Sequence, residues 1–144
     1  MMKYYYIEPE VAGGLGPNTV MDRSVHPPHV SRLHYLFDGW LGDVLLESFP
    51  CFIITEAAMR KLEAEGLTGI QSDKVEISLS EQFKELHPNQ QLPPFVWLRV
   101  NGRVGQDDFG SAPDGRLVVS GPGKALEVLQ SLGTSQALVT ESGP

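Results

Sequence analysis

Apolar and polar positions in this chain fall into short runs, and the spacing within each run predicts an element. Tyr4 to Ile7 is aromatic and β-branched and predicts a first strand. His34-Tyr35-Leu36-Phe37, then Asp38-Gly39, then Trp40-Leu41 has the form of a hairpin, since Asp-Gly suits the positive φ angles of a type I′ turn. A short helix from Gly42-Asp43 through Val44, Leu45 and Leu46 is the alternative. Cys51 to Thr55 is a continuous apolar strand, and the Thr55 hydroxyl stands where a helix N-cap would. The helix expected next, Glu56 to Glu65, puts Met59 and Leu62 on one face and stops at Gly66 in the C′ position.

Further on, Val75, Ile77 and Leu79 alternate with Glu76 and Ser78, the period of a strand with one buried face. Ser80 to His87 predicts a short helix that buries Phe83 and Leu86 and is ended by Pro88. Phe95 to Val100 and Leu117 to Val119 predict strands, Ala125 to Leu132 a second main helix, and Ala137 to Thr140 a last short strand. These periods turn Ile53, Leu62, Val75, Ile77, Phe95, Trp97, Val118, Leu126 and Leu129 toward a common core. Strand, hydroxyl, helix and glycine recur in the same order at Phe52 to Gly66 and at Leu117 to Gly133, which suggests two strand–helix–strand repeats. Any two such units also look alike, because helices start and stop in few ways. The expected fold is α/β or α+β, a mixed sheet covered by two main helices.

Fifteen glycines and eleven prolines punctuate the chain in clusters, none long enough to be a linker between domains. At 144 residues the chain fits one compact domain, taken as 1–141, with Ser142-Gly143-Pro144 as a disordered tail.

Composition narrows the function. Apolar residues make up 41% and charged residues 20%, as in globular proteins. Eleven Lys and Arg against eighteen Asp and Glu leave a formal charge of −7, a field that disfavours nucleic acid and anionic lipid and favours a basic partner. The single cysteine, Cys51, closes no internal disulfide and fits a reducing compartment. Glu8 interrupts the N-terminal run too early for a secretory signal, and the most apolar stretch, Phe49 to Ile54, is far short of the roughly 18 to 20 residues of a membrane span. A cytoplasmic protein without membrane contact is expected.

Few residues offer chemistry. Gly14-x-Gly16 follows a strand as in a dinucleotide fingerprint, but Thr19 replaces the third glycine and Pro27-Pro28 block the helix that must follow, so a flexible surface loop is expected. His26, His29 and His34 lie close enough to hold zinc or nickel if a loop wraps them around the ion; an extended Pro-rich segment with neighbouring histidines is the plainer expectation, with no metal and no cofactor. Cys51 sits in a core strand rather than at an exposed element end, so a buried structural thiol is expected. Asp107-Asp108 could hold a hard cation or act as acid and base, yet no third acidic ligand stands at a recognisable spacing. The pair is more suggestive as part of an acidic, aromatic partner-binding patch with Phe109, Asp38, Trp40 and Asp43, since carboxylates take a partner's arginines and Trp is enriched at hot spots.

The phrases Phe37-Asp38-Gly39-Trp40-Leu41-Gly42-Asp43, Phe49-Pro50-Cys51-Phe52-Ile53-Ile54-Thr55, Gly66-Leu67-Thr68-Gly69, Leu92-Pro93-Pro94-Phe95-Val96-Trp97-Leu98, Asp107-Asp108-Phe109 and Leu117-Val118-Val119-Ser120 resemble a bacterial family of small uncharacterised proteins. That family is similar to the immunity-type proteins of polymorphic toxin systems. The resemblance covers about Leu33 to Thr140 and rests on structural phrases, with no catalytic residues to carry over. It implies a protein that binds and neutralises a toxin encoded beside it. The competing expectations are a small metal-dependent enzyme using the loop histidines or Asp107-Asp108, and a generic interaction module.

Overall fold

The structure is a computed structural model that describes residues 3–142. In chain order the elements are β1 (Lys3–Glu8), β2 (Gly13–Leu15), β3 (Val20–Asp22), β4 (His29–Arg32), β5 (His34–Phe37), β6 (Leu45–Ser48), β7 (Cys51–Thr55) and α1 (Glu56–Ala64). They continue with β8 (Ile70–Asp73), β9 (Glu76–Leu79), α2 (Glu81–Leu86), β10 (Phe95–Val100), β11 (Phe109–Ser111), β12 (Leu117–Gly121), α3 (Ala125–Leu132) and β13 (Leu138–Glu141). This is an α+β fold of mostly antiparallel strands in several sheets. The strands order as β11-β12-β1-β13, β6-β7-β10-β8, β2-β5-β9 and β3-β4. The expected single sheet under two helices is thereby corrected: strands dominate, and three helices pack among them.

The sheet β6-β7-β10-β8 is the middle layer. Every residue of β7 is buried because both faces of this sheet are covered, which is why its sequence is an unbroken apolar run rather than an alternation. Phe52, Ile54, Leu45 and Leu98 face a core shared with α1, α3 and the inner face of β1 and β12. Cys51, Ile53, Leu46, Phe95 and Trp97 face a second core with Tyr35, Phe37 and Phe83. The common core expected from the sequence is therefore two cores split by one sheet. Ile53, Phe95 and Trp97 lie in the second with Val75 and Ile77 packed on it; Leu62, Leu126 and Leu129 lie in the first; Val118 is buried but belongs to neither.

The two four-stranded sheets share one connectivity. β7 and β8 flank β10 antiparallel to both, and α1 joins them; β12 and β13 flank β1 in the same way, and α3 joins them. A hairpin partner, β6 or β11, precedes each. Thr55 caps α1 by accepting from Ala58 N at 3.2 Å. In the second copy the helix starts later, at Ala125, whose N–H still reaches the Ser120 hydroxyl at 3.3 Å.

Other expectations give way to tertiary contacts. Asp38-Gly39 closes no hairpin: β5 pairs antiparallel with β2 and parallel with β9, 38–44 is a loop, and Leu45–Ser48 is a strand rather than a helix. Of the glycines thought to form a flexible loop, Gly14 is part of β2, and Gly16, just after it, lies so close to the His34 ring that a Cβ there would overlap it. α2 buries Phe83 completely but leaves Leu86 63% exposed. The Ser142 amide donates to the Tyr4 carbonyl at 3.0 Å, extending the β13–β1 pairing; Gly143 and Pro144 of the expected tail lie outside the described residues. Among the described residues no helix is long and apolar enough to cross a membrane.

Candidate partner-binding site

Glu10 organises the loop that carries Asp38, Trp40 and Asp43. Its side chain is buried, one carboxylate oxygen accepting from Leu41 N at 2.7 Å and the other from Asp43 N at 3.1 Å. The Ala12 carbonyl accepts from the amides of Asp38 (2.9 Å) and Gly39 (3.2 Å). Trp40 donates its indole N–H to the Asp43 carbonyl at 2.9 Å and stands edge-on to Phe95, with ring centres 5.9 Å apart. From the far side, the Asp43 carboxylate accepts from Gln136 N at 2.8 Å and Ser135 Oγ at 3.4 Å, and Val44 N donates to Gly133 O at 2.9 Å. A segment without regular secondary structure is thus held by hydrogen bonds along its length.

The clamp turns apolar side chains outward. Leu41 is 72% exposed and Val11 67%. With half-buried Trp40, exposed Asp38 and His87 they line a cleft of about 410 Å³. Asp38 forms no ion pair among the described residues. An apolar patch with a free carboxylate on a fixed backbone is suited to docking, because little order has to be imposed on binding.

The six sequence-derived residues do not form one exposed patch. Asp38 and Trp40 line the cleft, but Asp43 is only 2% exposed and works beneath it. Phe109 is fully buried in the first core. Asp107 and Asp108 brace a loop: Asp107 accepts from Arg103 N at 2.8 Å, and Asp108 accepts from Thr68 N at 3.0 Å and Ser120 Oγ at 2.8 Å. They precede β11, one edge of its sheet, whereas Gln136 on the Asp43 side leads into β13, the opposite edge. The residues that sequence reasoning missed are Glu10, Val11 and Leu41. A lone Glu and two isolated apolar residues carry no periodic signal.

The histidines diverge as well. His26 is exposed on the segment leading into β4 and His29 is exposed at its first position, while His34 is 3% exposed. His34 Nδ1 accepts from Asn18 N at 3.2 Å, so Nε2 carries the proton and meets Ser78 Oγ at 2.8 Å. Among the described residues, no group of three or more His, Cys, Asp or Glu is placed to hold a metal ion. Cys51 is 4% exposed, and burial pushes its thiol up to about 12.

The chain matches no protein-family model and no curated protein. Fold and site together define an α+β domain that presents an ordered apolar and acidic cleft.

Proposed function

We propose that this protein is a non-catalytic binding protein of the immunity type, which captures and neutralises a basic toxin encoded beside its own gene and does so in the cytoplasm. The observation that carries the reading is the clamped loop 38–43, which holds Leu41 exposed beside Val11, Trp40 and the free carboxylate of Asp38. Exposed leucine and valine next to an indole supply the desolvated centre of an interface, and Asp38 offers a partner's Arg or Lys an ion pair. The formal charge of −7 adds long-range attraction, which speeds encounter with a basic protein more than it tightens the final complex. Neutralisation then follows from occupancy: a protein seated on the toxin's working surface excludes its substrate.

The test is co-expression of the neighbouring gene product with this chain in a bacterial host. The expected result is growth arrest by the neighbour alone, rescue by this chain, and loss of rescue with Leu41→Asp at unchanged protein level. Rescue that is indifferent to Leu41→Asp and to Trp40→Ala would overturn the assignment of this face. A neighbour that neither binds nor harms the cell would overturn the immunity reading.

A further inference from the structure

A second and larger cleft, of about 710 Å³, opens between the segment 25–30, the start of β7, β10 and the turn that follows β11. Its walls are mainly apolar, with Pro27, Pro50, Phe52 and Trp97 among them. Its polar side chains include His26, His29 and Arg99, and among the described residues that line it none is Asp or Glu. In a chain with eighteen acidic residues this is a segregated composition. Two carboxylates close to the lining in sequence are turned to partners outside it, Asp22 to Ser24 Oγ (2.6 Å) and Asp114 to Arg116 Nε (2.9 Å), while Asp73, opposite Trp97 on β8, pairs with the cleft's own Arg99 Nη1 (2.9 Å). The Arg99 guanidinium carbon sits over the Trp97 ring, 4.3 Å from its centre, and the bond to Asp73 holds it there. The guanidinium has five donors, and Asp73 engages only one of its nitrogens.

We infer that this cleft binds a small organic anion, a carboxylate carried on an aromatic or similarly flat apolar body. The apolar walls take the body by burial; the guanidinium nitrogens of Arg99 that Asp73 does not engage and the imidazoles of His26 and His29 take the charged end. The cleft is distinct from the Trp40 cleft and makes the opposite demand on charge, so this site stands apart from the toxin-binding proposal.

The probe is naphthalene-2-carboxylate, compared with naphthalene-2-carboxamide of nearly the same shape without charge, each titrated into ¹⁵N-labelled full chain. The expected result is saturable shifts of the Trp97 indole and of residues 26–30 and 97–100, with the carboxylate binding at least tenfold tighter than the amide. His29→Gln, at an exposed position, should weaken the carboxylate several-fold while leaving the amide unchanged. Arg99→Met should abolish the preference for the carboxylate in protein whose spectrum is otherwise native. Equal affinity for the two probes, shifts centred on Trp40 instead, or no saturation by either probe at millimolar concentration would each overturn the inference.

Discussion

Glu10 shows how a single side chain can shape a surface without being part of it. Both of its carboxylate oxygens are spent on backbone N–H groups of the loop 38–43. Charged hydrogen bonds of this kind are worth about 1.5–3 kcal/mol each, and a buried donor left without its acceptor costs a comparable amount. Glu10→Gln replaces one acceptor by an NH2 facing a backbone N–H. It should lower stability by about 2 kcal/mol in urea unfolding and speed amide exchange at Leu41 and Asp43 more than elsewhere. Asp108 has a similar bracing role, so Asp108→Asn should cost about 1–3 kcal/mol rather than act as a silent surface change. Cys51 adds a pH dependence. Burial raises its folded-state pKa to about 12, so the unfolded chain loses this proton first. The contribution is complete below the ordinary thiol range near 9 and is lost as pH rises toward about 12, with a slope of at most about 1.4 kcal/mol per pH unit. In native protein the thiol should resist a disulfide reagent at pH 8; fast stoichiometric reaction would contradict its burial.

Elements were legible where local physics decides them. The unbroken run Cys51–Thr55, the Thr55 cap and the repeated helix formers of α1 agree with one another, and the structure has them where the sequence indicates. Thr55→Ala should therefore cost about 1 kcal/mol, measured by thermal or urea unfolding. The Asp38-Gly39 hairpin fails because its would-be second strand is recruited elsewhere: the amides of Asp38 and Gly39 go to Ala12, and those of Leu41 and Asp43 to Glu10. Strands such as β2, β3 and β8 are short and hold glycine or polar residues, so their pairing is set by partners distant in the chain rather than by period. The helix α2 separates the two kinds of information. Its spacing predicts both Phe83 and Leu86 as buried, yet with only six residues it turns one apolar side chain inward. Phe83→Ala should cost about 3–5 kcal/mol, while Leu86→Ala should stay within about 0.5 kcal/mol.

At the scale of the whole molecule, charge was readable from composition but its distribution was not. Sequence order places Asp107 and Asp108 beside Phe109 and suggests one acidic aromatic face; folding buries Phe109 and spends both carboxylates on loop amides and hydroxyls. What remains for the proposed basic partner is the diffuse field of the −7 charge and the local carboxylate of Asp38 beside Leu41, Val11 and Trp40. These two parts respond differently to perturbation. Salt screens the field, since at about 0.15 M the Debye length is only about 8 Å, and so slows association. Truncation of a buried apolar anchor acts mainly on dissociation. The most direct measurement is therefore the binding kinetics of the neighbouring gene product to the wild-type chain and to Leu41→Ala, each at two salt concentrations. The account predicts that added salt lowers the association rate of both proteins alike, and that Leu41→Ala raises the dissociation rate at least tenfold at either concentration. Association indifferent to salt together with unchanged dissociation from Leu41→Ala would contradict it.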